Sequence, residues 1–226
     1  MSIKKLVIAG LCLLCVSCAS HYPRNGNNNA GGQQQTLQGT SDELLKEGNR
    51  YAKMRDYSTA IKYYQQAAYE GNAKAQYALG YMYRTGRGVT RNYDDAAQWF
   101  ERSANQGNSD AQHSLGVRYL LGQGTTQDYS RALYWFEKSA SQSNPYAENE
   151  LGFMYAAGKG VPQNYEISLQ WYEKAAAHGL PSAQYNLGLM YQNGIGTPVN
   201  KEKAMQLFRS AASRGFGPAK KAITSG

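Results

Sequence analysis

Side chains able to do covalent or acid–base chemistry are few in this chain of 226 residues: three cysteines, Cys12, Cys15 and Cys18, and three histidines, His21, His113 and His178. A thiolate can act as nucleophile, metal ligand or half of a disulfide, and an imidazole as base or ligand, but each needs a partner at a fixed spacing. No histidine lies within metal-ligand spacing of another, and no His-Glu-x-x-His, Ser-x-x-Lys or Gly-x-Ser-x-Gly occurs. The acidic pair Asp94 and Asp95 falls where a helix should start, and carboxylates there complement the helix dipole. His178, beside Gly179, suits the opposite end of a helix. The expectation is no catalytic residue, no metal site and no cofactor.

The cysteines are confined to the first 18 residues, so the rest of the chain can hold neither a disulfide nor a thiolate metal site. Their setting suggests a different reaction. Lys4 and Lys5 precede an apolar run over residues 6–16, too short for a permanent membrane span and of the form of an export signal. It ends in Cys15-Val16-Ser17-Cys18, which resembles a lipobox, although Cys15 stands where Leu is usual. Residues 1–18 then read as a lipoprotein signal peptide and Cys18 as its lipidation site. The alternative is a plain signal peptide cut after Ala19, with Ser17 and Ala19 as the small residues. Residues 19–41 are rich in Asn, Gly, Gln and Ser and too poor in apolar residues to fold. They read as a flexible tether with a reach of roughly 25 Å.

The remainder is periodic. Gly80, Gly116, Gly152 and Gly188 are 36 residues apart, each inside one recurring sentence: Ala75-Gln76-x-x-Leu79-Gly80-x-x-Tyr83, Ala111-Gln112-x-x-Leu115-Gly116-x-x-Tyr119, Ala147-x-x-x-Leu151-Gly152-x-x-Tyr155 and Ala183-Gln184-x-x-Leu187-Gly188-x-x-Tyr191. A Gly-x-Gly comes next in each, then a second block, Trp99-Phe100, Trp135-Phe136, Trp171-Tyr172 and Leu207-Phe208, closing on Ala104, Ala140, Ala176 and Ala212. Ala75, Leu79 and Tyr83 at four-residue steps line one face of a helix, and Gly80 removes a side chain where a second helix must approach. The spacing predicts two short amphipathic helices per unit. Neither can bury its apolar face alone, so neighbouring units must stack into one continuous core. On this reading Trp99, Trp135 and Trp171 are core residues at equivalent places.

These residues resemble the Sel-one-like repeat (SLR) family, a cousin of the tetratricopeptide repeats, over four units spanning residues 73–216. A divergent, tetratricopeptide-like unit precedes them over residues 42–72, in which Tyr51, Tyr57, Ala60, Tyr64, Ala68 and Gly71 align with Tyr83, Tyr93, Ala96, Phe100, Ala104 and Gly107 after loss of the Gly-x-Gly loop. The resemblance implies an all-α protein, a right-handed α-α superhelical solenoid of helix pairs. Ser143 stands where Gly closes the other units, and Asn144 is expected to supply the left-handed residue instead; Thr125 replaces Val and Leu207 replaces Trp. Residues 217–226 start another first helix with Ala219 and Ile223 and form a cap, kept soluble by Lys220 and Lys221. Some cysteine-rich members of the family pair a cysteine in each helix and are described as β-lactam binders or hydrolases. This chain lacks those cysteines, so a β-lactam- or murein-directed hydrolase is the alternative reading, without a nucleophile to carry it.

At about 100° per residue, the side of each first helix opposite Ala75, Leu79 and Tyr83 carries residues off the repeat pattern. By resemblance to tetratricopeptide arrays this side faces the concave surface. Tyr81, Val117, Phe153 and Leu189 form an apolar ladder there, and Tyr77, His113, Asn149 and Tyr185 a hydrogen-bonding one, with Arg84 alongside. Solvated helix faces are not normally filled this way. One reading is a groove for an extended or helical peptide, with Tyr81 and Phe153 as aromatic anchors. The other is that superhelical curvature buries the apolar ladder between adjacent first helices.

Formal charge is +8, from 24 basic and 16 acidic residues. Lys4 and Lys5 belong to the leader, so 22 basic against 16 acidic residues leave +6 beyond it. The basic residues are scattered through all units, without the aromatic interleaving of a nucleic-acid module. The reading is an exported, membrane-anchored repeat scaffold for protein or peptide partners of the bacterial cell envelope, with no nucleic acid. Ala19 after the candidate lipidated cysteine resembles the pattern of outer-membrane lipoproteins, with the repeats in the periplasm or at the surface. Members of that kind are associated with assembling envelope machinery, modulating murein enzymes or host entry.

Overall fold

The computed structural model describes residues 38–224, so the expected signal peptide, Cys18 and nearly all of the tether lie outside the described residues. The described residues form eleven α-helices and no strand: α1 (Ser41–Lys53), α2 (Tyr57–Tyr69), α3 (Ala73–Thr85), α4 (Tyr93–Asn105), α5 (Ser109–Leu121), α6 (Tyr129–Ala140), α7 (Pro145–Ala157), α8 (Tyr165–Ala177), α9 (Pro181–Asn193), α10 (Lys201–Ser213) and α11 (Gly217–Thr224). Each packs mainly on its neighbours in sequence, first within a pair and then pair against pair, which is the all-helical solenoid that the period implies. None of the described helices is long and apolar enough to cross a membrane.

Local chemistry sets the helix ends. Asn or Asp caps nearly every start: Asn72, Asn108 and Asn144 before first helices, Asn92, Asp128, Asn164 and Asn200 before second ones, each side chain accepting from a backbone N–H of the opening turn. α9 departs from this, with Leu180 at the cap, no side-chain cap bond and Pro181 as the first helical residue, where its missing N–H costs nothing. α1 opens at Ser41, inside the segment read as tether, because Thr40 and Glu43 form a reciprocal capping box. Between the helices of a pair, the cap N–H of Asn92 donates to the Tyr83 carbonyl at 2.9 Å, and the later units repeat the bond.

The second glycine of each Gly-x-Gly is required twice over. Gly88, Gly124, Gly160 and Gly196 have φ between 68 and 75°, and a Cβ there would meet the carbonyl of Tyr57, Tyr93, Tyr129 or Tyr165, at the start of the preceding unit's second helix. The loop is therefore the lock between consecutive units. In the first pair it is absent, the connection is three residues long, and Arg55 takes the left-handed conformation at φ 62°. At the end of α6 the left-handed residue is Ser143 itself, φ 60°, and not Asn144, which stays extended because it is occupied as the cap of α7.

The expectation for the tryptophans is corrected. Trp99 is buried, but Trp135 and Trp171 are only half-buried, and Leu207 in the last unit likewise. The core position belongs to the next residue: Phe100, Phe136, Tyr172 and Phe208 are each at most 1 % exposed. Each lies against the glycine of its own first helix, so a Cβ on Gly80, Gly116, Gly152 or Gly188 would come within 2.8 Å of the ring. Trp135 and Trp171 instead lie at the edge of the core along the second helices, and cations flank these rings: Arg102 lies 4.4 Å from the buried Trp99 ring and Lys174 4.1 Å from Trp171.

Candidate functional site

The first helices α1, α3 and α5 line one side of the array and open two connected hollows. One, of about 540 Å³, has Leu45, Asn49, Lys74, Tyr77, Tyr81 and Arg87 on its wall. The other, of about 390 Å³, has Tyr77, Tyr81, Arg84, His113, Val117 and Arg118. Thus five of the nine residues expected on the binding face, Tyr77, Tyr81, Arg84, His113 and Val117, meet in one groove. Tyr185 and Leu189 line a separate hollow with α11.

Between the two, one member of the apolar ladder is buried. Phe153 is 6 % exposed and belongs to the core, with the Lys159 ammonium 5.4 Å from its ring, so it is no anchor on an open face. Asn149 beside it is engaged by Asn186, whose Nδ2 donates to Asn149 Oδ1 at 3.2 Å. Tyr81, Val117 and Leu189 remain half-buried. The hydrogen-bonding ladder is also half-buried, because its rings rest on the core aromatics: Tyr77 on Phe100, His113 on Phe136 and Tyr185 on Phe208, centroids 5.6–5.9 Å apart.

The groove is electrostatically lopsided. Arg84 and Arg87 both stack towards Tyr81, at 4.8 and 5.5 Å from its centroid. Burial, with Arg118 and Arg84 near it, pushes the His113 imidazole down to about 4, so it is neutral at pH 7. Its ring contacts are Phe136 and Tyr146. Arg118 escaped the reading of the sequence. Its signal was there, since the equivalent residues of the other full units are Met82, Met154 and Met190, all buried.

A second irregularity lies where successive pairs meet. Gln76, Gln112 and Gln184 each donate through Nε2 to a carbonyl of the preceding helix, those of Ala68, Ala104 and Ala176. Gln76 and Gln112 also accept from Gln106 and Gln142. In the intervening unit Glu148 replaces the glutamine and His178 replaces its partner, Nε2 lying 3.6 Å from Glu148 Oε2. His178 does cap its helix, as expected. Burial pushes the Glu148 carboxyl up, while His178 and Lys174 pull it back; Glu137 lines the same hollow. An ionised Glu148 has no proton for the Ala140 carbonyl, and its Oε2 is buried without a hydrogen bond.

The pH effect has a definite sign. The unfolded carboxyl loses its proton near 4.5 and the folded one later, so this group's contribution to stability falls as pH rises through that window and stays lost above it. Glu148→Gln restores the repeat's hydrogen bond and is expected to stabilise the fold at neutral pH by about 1 kcal/mol. In urea titrations, the gap between variant and parent should widen as pH rises from about 4 and shrink again at the acidic end. A gap independent of pH would exclude this role of the carboxylate.

Among the described residues no cluster of His, Cys, Asp and Glu could hold a metal ion. The chain is similar in structure to a protective antigen of uropathogenic Escherichia coli strains displaying an SLR fold, with TM-score 0.74 and 36 % identity over 81 % of this chain, which spans 40 % of that one. It is similar also to a Sel1 repeat protein from Oxalobacter formigenes, with TM-score 0.74 and 32 % identity over 80 % of this chain and 72 % of the other. A Sel1 repeat protein from Klebsiella pneumoniae subsp. pneumoniae, 22 % identical with TM-score 0.57 over 85 % of this chain and 96 % of the other, shares the fold. No curated protein matches the sequence. The Sel1 repeat model matches residues 44–72, 73–108, 109–144, 145–180 and 181–216, taking in the short first unit as well as the four full ones, and the chain belongs to the Sel1 repeat family.

Proposed function

We propose that the protein is an exported, lipid-anchored scaffold of the bacterial envelope that receives a segment of a partner protein in the groove of α1, α3 and α5. A Sel1 repeat array is an architecture suited to protein–protein interaction. The observation that carries the groove is the meeting of Tyr77, Tyr81, Arg84, His113 and Val117 around open space, with aromatic and guanidinium groups that dominate binding energy at interfaces. Support for export comes from the sequence of residues 1–18, and agrees with the naming of the E. coli relative as a protective antigen. The anchor is a lipid carried by Cys18, and the segment from Ala19 to the first helix holds the repeats off the outer membrane.

One experiment in intact cells tests both halves. A photoreactive analogue replaces Tyr81 in the groove or, as control, Tyr134, which is exposed on a second helix. Crosslinked species should form from position 81 and not from 134, and Tyr77→Ala should reduce them. Labelled palmitate should enter the parent chain and not Cys18→Ser. Equal crosslinking from both positions overturns the groove, and an unlabelled parent released after cleavage at Ala19 overturns the anchor.

A further inference from the structure

We propose that the groove recognises a carboxylate of the bound segment, and that Arg118 and Arg84 are its receptor. This rests on the groove reading and names the chemistry of its occupant, an acidic peptide. Arg118 is a charge at a position where the other full units bury methionine. It is 5 % exposed, its Nη1 donates to Gln123 Oε1 at 2.8 Å, and its Nε is buried without a hydrogen bond. Among the described residues no carboxylate makes a salt bridge with it. Its guanidinium also lies 5.4 Å from the Tyr93 ring centroid, but neither that ring nor the Gln123 amide is a full counter-charge, and the cost of burying the charge is relieved when an anion arrives. Burial first and Arg84 second push the Arg118 guanidinium down to about 10, with Tyr93 acting the other way, so it stays charged at pH 7.

The surroundings repeat the sign. Lys74, Arg84, Arg87 and Arg118 line the two hollows against one acid, Asp110, a balance of four positive charges to one negative. Asp110 already accepts from Asn144 Nδ2 at 3.0 Å. Planar guanidinium forks match carboxylate oxygens in pairs. Tyr57, Tyr77, Tyr81 and Val117 supply the apolar contact, and Asn49 and Asn108 the amide groups, that a peptide backbone and its side chains require. That mixture favours an acidic peptide over inorganic phosphate or a polysaccharide.

The test selects twelve-residue random peptides on the full chain and on Arg118→Met, with free and amidated C-termini in separate pools. The parent should enrich Asp or Glu beside an apolar residue, or peptides of the free pool alone, the first outcome assigning the carboxylate to a side chain and the second to a chain terminus. Arg118→Met, which installs the residue of the other units, should melt at a higher temperature than the parent and bind the selected peptides at least about tenfold more weakly. Arg84→Gln should weaken the same peptides, and neutral peptides should be indifferent to both changes. Selection of apolar peptides without acidic enrichment overturns the carboxylate receptor and leaves the groove standing. Absence of any selected peptide sinks the groove and the receptor together. Displacement of the peptides by millimolar phosphate as effectively as by glutamate assigns the site to phosphate and overturns the peptide carboxylate.

Discussion

Phe136→Ala is expected to cost about 3–5 kcal/mol, the loss typical of a large aromatic removed from a closed core. Its neighbour Trp135→Ala should cost less than about 2 kcal/mol, because a half-buried side chain returns less apolar surface to water. Phe136 is fully buried, packs on Gly116 and carries the His113 ring, so its loss empties the centre of one helix pair. Stacked units lend stability to their neighbours, so the defect should also lower the protection of α4 and α7. Urea unfolding with hydrogen exchange on both variants measures the difference. Equal losses for Trp135 and Phe136 would show that the aromatic pair shares the core, as the pattern of residue types first implies.

Gly124→Ala is expected to be the most damaging single methyl group in the array, costing about 2–5 kcal/mol. At φ 75° a side chain carries the left-handed penalty of about 1–2 kcal/mol, and the new Cβ strikes the Tyr93 carbonyl, so the junction must also shift. Gly107→Ala separates the two causes. It has φ 89° and nothing within 4 Å of where the added methyl would sit, so it should lose only the conformational part, about 1–2 kcal/mol. Thermal melts of the pair are sufficient. If both variants fall equally, the Gly-x-Gly loop is a turn and does not lock one unit to the next.

The array was legible in the chain because its information is local and repeated. A 36-residue period, apolar residues at four-residue steps and glycines at helix ends are properties of single helices, and five copies average out the departures. The Asn and Asp caps are equally local, and recur at the same period. The open questions were those that depend on where a neighbouring helix lies. Trp135 and Phe136 differ by one residue, about 100° of rotation, and a periodicity cannot say which of two adjacent aromatics meets Gly116. Phe153 was indistinguishable from Tyr81 by position in the repeat, yet the packing of the middle unit buries one and leaves the other on the groove.

The pairing of Glu148 with His178 joins the two helices of one pair, and Arg118 gains its meaning only from the absence of a salt-bridging carboxylate among the described residues around it. Sequence alone determined the solenoid, its units and the face to search, since these arise from the backbone's own periodicity. Tertiary structure decided which side chains on that face are solvent-reachable, which are core and which charge is without a salt bridge among the described residues. Burial and electrostatic compensation are properties of surrounding helices, and no residue carries them by itself.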